Sequence, residues 1–262
     1  MISKTLRIAR MMVFATLVLS SAAWAATCSN ASLSGTYAFL HGGTDSQGTP
    51  ATGLTQVTFD PTTGTYTGED TASLNGVISI EPVTATYAVA PNCTVTASVR
   101  IGGNPPVSVS FVITSTGFLF LFQKPGATSS GFGVKQGSPT CTNAGVEGRF
   151  GFATTGVFVA GAPVTGPVAF IGELKLTVTP SGDGVISGAV AGSEDGTIFT
   201  FAEEPVLGSY TVASDCTGTA TIQTKGGSVA RFSLVVVDGG KEMLAIETDT
   251  DTVVSGTLAK GN

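Results

Sequence analysis

Histidine occurs once in these 262 residues, tryptophan once, and only 11% of the chain is charged. Each shortage closes off chemistry. A Ser–His–acid triad would have to use His41, and a three-histidine zinc site cannot be built within one chain. No Cys-x-x-Cys occurs, which removes redox pairs and zinc knuckles of that spacing. Gly or Pro interrupts nearly every window of about a dozen residues after the first 25, so no amphipathic helix is expected there. No apolar run reaches the roughly 18 residues that a spanning helix needs.

Residues 1–25 are expected to be a secretory signal peptide. Lys4, Arg7 and Arg10 give a positive start, Met11 to Leu19 a short apolar core, and Ala23-Trp24-Ala25 a small-x-small cleavage site. Cleavage near Ala25 would place the mature chain outside the cytoplasm, in the periplasm or beyond. It would also remove the one tryptophan, and sugar-binding platforms favour large flat rings. Acidic residues then outnumber basic ones by eighteen to nine. Residues 26–137 hold five acids and three bases, whereas 138–262 hold thirteen and six. That surface repels phosphate backbones and anionic lipid, which argues against nucleic acid as a partner and against membrane association. A membrane-spanning barrel would need aromatic girdles at both interfaces, and Tyr is scarce.

What is present is a duplication. Cys28-Ser-Asn-Ala-Ser-Leu-Ser-Gly-Thr-Tyr-Ala-Phe39 returns as Cys141-Thr-Asn-Ala-Gly-Val-Glu-Gly-Arg-Phe-Gly-Phe152. Pro82-Val-Thr-Ala-Thr-Tyr-Ala-Val-Ala-Pro-Asn-Cys93 returns as Pro205-Val-Leu-Gly-Ser-Tyr-Thr-Val-Ala-Ser-Asp-Cys216. The two copies are taken as 26–137 and 138–262, divided at the linker-like Lys135-Gln-Gly-Ser-Pro-Thr140. Within each, short alternating runs such as Leu54–Phe59 and Glu173–Thr179 end at turns carrying Pro and Gly. About eight strands per copy are expected. The fold class is therefore all-β: two tandem antiparallel up-and-down barrels, with β-sandwiches as the alternative. Closure is preferred because it leaves no open edge.

Gly35-Thr-Tyr37 and Gly148-Arg-Phe150 open the first strand of each copy. They resemble a degenerate form of the Gly-x-Trp that opens lipocalin and avidin-type, calycin-like barrels, with Tyr or Phe in place of Trp. The tandem pattern also resembles uncharacterised secreted bacterial proteins built from Gly-x-Tyr/Phe repeats. The resemblance implies a barrel with one mouth able to admit a small apolar ligand. It also implies that Tyr37 and Phe150 lie as large rings across the closed end.

Four cysteines in an exported chain point to disulfides. Repeat symmetry permits all three pairings; independence of the two copies selects Cys28–Cys93 and Cys141–Cys216. A metal or redox site is the alternative use of these thiols. Each bridge would contribute up to about 4 kcal/mol by restricting the unfolded chain. His41, in His41-Gly-Gly43, reads as an exposed loop residue just past the first strand. Carboxylates are the remaining chemical candidates. The adjacent pairs Glu69–Asp70, Glu194–Asp195 and Glu203–Glu204 would point to opposite faces of a strand. Glu247, Asp249 and Asp251 alternate and would line one face, either as a solvated acidic edge or as a calcium site, and the Asp183 turn is a second calcium candidate. No other cofactor is implied.

These readings converge on a secreted or periplasmic non-enzymatic protein that binds a small apolar molecule or a protein partner. Two rivals stand beside it. A carboxylate-based hydrolase or barrel isomerase would need ionisable groups converging in one mouth. A structural or adhesive surface protein would have barrels that are simply filled.

Overall fold

The structure is a computed structural model describing residues 27–123, 126–137 and 141–261; the expected leader lies outside the described residues. The alternating runs become two closed antiparallel barrels of eight strands each. The first contains β1 (Gly35–Thr44), β2 (Pro50–Asp60), β3 (Thr65–Leu74), β4 (Val77–Val89), β5 (Thr94–Ile101), β6 (Val107–Ile113), β7 (Gly117–Gln123) and β8 (Thr128–Lys135). The second contains β9 (Gly148–Phe158), β10 (Gly166–Val178), β11 (Gly184–Glu194), β12 (Thr197–Val212), β13 (Thr217–Thr224), β14 (Val229–Val237), β15 (Glu242–Glu247) and β16 (Thr252–Lys260). Each strand pairs with its neighbours in the chain, and the last returns to the first, β8 on β1 and β16 on β9. That seam rules out the sandwich arrangement.

Turn chemistry sets the register. Asn75-Gly76 joins β3 to β4, and Asp195-Gly196 joins β11 to β12. All four residues have positive φ (51°, 76°, 46° and 83°), the geometry of the tight hairpin whose twist matches its strands. Strand alternation then sends one set of side chains inward. Tyr37, Phe39, Phe59, Tyr66, Tyr87, Phe111, Phe118 and Phe120 fill the first barrel. Phe150, Leu174, Leu176, Ile186, Tyr210, Leu234, Met243 and Leu258 fill the second. Eight strands enclose about the width that side chains alone can fill.

One end of each barrel is capped in the same way. The 3-10 turn Asn30–Ser32 lies across the first and Asn143–Val146 across the second. The side-chain oxygen of Asn30 accepts the Val89 N–H at 2.9 Å, and that of Asn143 accepts the Val212 N–H at 2.8 Å. Tyr87 donates its hydroxyl to the Leu33 carbonyl at 3.2 Å, and Tyr210 to the Asn143 carbonyl at 3.0 Å. Leu33 and Val146 plug the openings, almost fully buried. Disulfides Cys28–Cys93 and Cys141–Cys216 tie each cap to its own barrel.

The barrels also share an apolar interface. Ala38, Leu40 and Leu54 face outward from β1 and β2 and pack with Val235, Val237, Leu244 and Ile246 from β14 and β15. Polar contacts rim this patch. Thr52 donates to Ser255 at 2.9 Å, and Gln56 and Gln136 donate to the Asp215 carbonyl at 2.7 and 3.0 Å. Main-chain bonds cross from Asp251 N–H to the Gly76 carbonyl and from Gly239 N–H to the Gln136 carbonyl. Strands buried on both faces read as continuous apolar runs, and Leu234-Val-Val-Val237 and Met243-Leu-Ala-Ile246 are such runs.

Candidate functional site

The barrel interiors are the first place to look for chemistry. Tyr37 packs edge-on against Phe59, with ring centroids 5.4 Å apart, and lies 5.6 Å from Phe118. Phe150 is fully buried at the matching place in the second barrel. A lysine sits over each ring, Lys135 over Tyr37 and Lys260 over Phe150, both at 5.7 Å from the centroid. These first-strand rings thus lie toward the capped ends.

Further along β1 the first barrel holds a polar cluster. His41 is not in a loop: β1 continues to Thr44, pairing His41 with Gly53 on one side and Gly131 on the other. Its ring faces inward beside Phe122, with centroids 5.4 Å apart. His41 Nε2 lies 3.4 Å from Asp70 Oδ1, and Thr55 donates its hydroxyl to the same oxygen at 2.6 Å. Asp70 is only 3% exposed. Burial pushes its carboxyl up, but the hydrogen bond and charge of His41, with the Thr55 hydroxyl, outweigh it and hold the pKa below the ordinary value. Gly53 makes the room, since a Cβ there would overlap the imidazole. Both donors end on one carboxylate. The histidine is therefore not placed to take a proton from the threonine, as a nucleophilic relay requires. The cluster satisfies a buried charge.

The second barrel carries Thr154, Gly172 and Val190 at the register positions of His41, Thr55 and Asp70. Among the described residues an inward carboxylate of this barrel is Glu247, at the register place of Phe122. Glu247 is 6% exposed, and its pKa is pushed up to about 8 by burial first, then by the charges of Asp249 and Glu194. The expected acidic face does not form. β15 ends at Glu247, and the chain turns through Asp251, whose φ is 63°. Asp249 pairs with Arg231 at 2.7 Å. Asp251 lies at the junction with the first barrel. Asp183 accepts the Ser181 hydroxyl at 2.6 Å within its own turn. Among the described residues no group of three or more His, Cys, Asp or Glu is arranged to hold a metal ion. The side chains of Glu203 and Glu204 lie outside the described residues.

Free space is distributed unevenly. Inside the second barrel a cavity of about 30 Å³ is lined by apolar groups including Leu174, Met243 and Ala245, with Thr154 at its edge. Between the barrels a cleft of about 490 Å³ runs along β2 and β3 on one wall and β13 and β14 on the other. Thr58, Thr67, Thr71, Thr211 and Thr219 line it, with Glu69 and Asp215 supplying the charge. The acidic residues on opposite walls follow from the overall acidic balance, but their meeting requires the barrel docking, which no repeat pattern announces.

No family profile matches the chain, and no curated protein matches it. Solved structures similar to it include a protein of unknown function of the DUF3598 family from Nostoc punctiforme PCC 73102, at 8% identity and a TM-score of 0.25, covering 88% of this chain and 97% of that one. They also include a β-barrel-like protein of the domain of unknown function DUF1849 from Brucella abortus, at 13% identity and a TM-score of 0.20, covering 87% and 97%. Likenesses this distant carry no argument about function.

Proposed function

We propose that this chain is an exported, non-enzymatic protein that works through the outer walls of its two barrels and takes a protein partner. One observation carries the reading: among the described residues, apolar side chains pack both barrel interiors. The interior cavity of about 30 Å³ holds a water or two by volume and is apolar, so it stays dry. Pockets for small organic ligands run from about 300 to 1,000 Å³. Of the two partners expected from the sequence, this packing favours the protein partner over the small apolar molecule. The interior ionisable groups support the same reading, since His41 and Asp70 satisfy each other and Glu247 stands apart in the other barrel. The two disulfides suit an oxidising compartment, periplasmic or extracellular. The threonine-lined cleft is part of this outer surface and suits an extended segment of a partner.

Native mass spectrometry of the chain purified from its own host tests this. The expected mass is that of the cleaved chain with two disulfides, or a whole multiple of it, with no small molecule bound. A stoichiometric apolar molecule that stays bound, and whose removal loosens either barrel, would sink the reading and restore the ligand-carrier alternative.

A further inference from the structure

Each barrel owns both halves of the contact that joins them, and only one of each is used. On β14 and β15, Val235 stands opposite Leu244 and Ser233 opposite Ile246. On β6 and β7, Val112 stands opposite Leu119 and Ser110 opposite Leu121, the same pairs at the same register. Val235, Leu244 and Ile246 are buried in the interface, at 4% exposure or less. Their counterparts Val112, Leu119 and Leu121 are 50%, 57% and 50% exposed. The facing half repeats as well. Leu40 opposite Leu54 in the first barrel becomes Ala153 opposite Ile171 in the second. Ile171 is 55% exposed.

The open patch on the first barrel is also continuous with the interface already made. Leu40 pairs with Phe132, Phe132 with Leu119, and Leu119 with Val112, a single row across four strands. Phe132 already packs against the inter-barrel cluster. The outward side chains of β6 and β7 include no charge.

From this repetition we infer that a second copy of the chain docks head to tail, the Ile171 face of one copy covering the Leu119 face of the next. The inference rests on the outer-wall reading above and names its partner. The contact between faces of different kind does not terminate itself, so chains can extend beyond dimers. It is weaker than the internal contact. Gln56 and Thr52, which supply hydrogen bonds inside the chain, are replaced at the matching register by Glu173 and Ala169, and Leu40 by Ala153. Association is therefore reversible and concentration-dependent.

Sedimentation of the disulfide-bonded chain tests this with two variants, Leu119→Asp and Ile171→Asp. Both positions are exposed, so the fold is retained; Leu121→Asp and Ala153→Asp serve if either variant misfolds. Wild type should gain mass with concentration, and each variant alone should stay monomeric. An equimolar mixture of the two variants should associate again, because it offers one intact face of each kind. A wild type that is monomeric throughout overturns the inference. So does an Ile171→Asp variant that associates like wild type, which would mean that two Leu119 faces meet. Neither result touches the mass-spectrometric test of the outer-wall reading, so the two can fail separately.

Discussion

The two barrels share a topology and differ in what fills it. At matched register, Tyr66, Phe111, Phe118 and Phe120 of the first become Ile186, Leu234, Met243 and Ala245 of the second. Some of the lost ring volume is regained. Gly133, which opposes Phe118 and has no room for a Cβ, becomes Leu258 opposite Met243. At the next inward pair, Phe120 with Gly131 becomes Ala245 with Gly256, and no residue of that pair restores the ring. Ala245 lines the second barrel's cavity. Strand number thus fixes the space to be filled, while large and small residues trade places between neighbouring strands. The polar contents differ as well: in the first barrel His41 and Thr55 favour the charged form of Asp70, while in the second burial favours the protonated form of Glu247.

The largest test of this contrast is Phe120→Ala, which would give the first barrel the second's vacancy. Losing a buried ring should cost about 3–5 kcal/mol. Hydrogen exchange resolved by strand should show β5–β8 loosened before β13–β16. Equal loosening of both barrels would mean that they unfold as one unit.

Next comes pH, which should act on the barrels in opposite directions. Glu247 keeps its proton in the folded state up to about pH 8, whereas its ordinary value is 4.5. The stability this confers is fully present below 4.5 and is lost as pH rises through about 8. The slope is at most about 1.4 kcal/mol per pH unit. Asp70 is depressed, so its contribution is present above its ordinary value of 3.8 and lost as pH falls through the lower folded value. Raising the pH from about 4.5 to about 8 should therefore weaken the second barrel, and strong acid the first. Glu247→Gln should flatten the limb between about pH 4.5 and 8 in a pH series of denaturation midpoints.

His41→Ala should destabilise the first barrel by about 1–3 kcal/mol, the cost of leaving a buried acceptor under-satisfied. A cost near zero would return His41 to the surface role that its glycine neighbours suggest. The smallest expected effect is Ala245→Val, which adds methyl groups beside the cavity. A gain of up to about 1 kcal/mol is expected, from roughly 0.8 per buried carbon. A loss would mean that the second barrel's packing has no slack there.

The duplication and alternating runs made the barrels readable, because a closed meander needs only strand count and short turns. Four features escaped. His41 was expected in a loop because Gly42-Gly43 follows it, yet both glycines sit in β1 between two partner strands, and a Cβ at Gly43 would overlap the Thr128 carbonyl. The alternation of Glu247, Asp249 and Asp251 suggested one strand face, but the chain leaves the sheet at Glu247. The docking of the barrels depends on outward residues of strands far apart in sequence. Its trace was the unbroken apolar runs in β14 and β15, where an exposed wall would alternate. Asp70 was discounted because Glu69 and Asp70 face opposite ways, and that very opposition aims Asp70 at His41.

The disulfides acquire a further meaning from where they stand. The seam that closes the first barrel runs from Tyr37 opposite Lys135 to Thr44 opposite Thr128, and Cys28 and Cys93 are not part of it. The bridge instead fastens the segment holding Leu33, whose side chain stoppers the capped end. In the folded protein, breaking the bridge would leave every rung of the seam in place and loosen only the stopper. Reduction would leave Leu33 held over the ring-lined interior by the Asn30 and Tyr87 hydrogen bonds, while the wall around it stays shut.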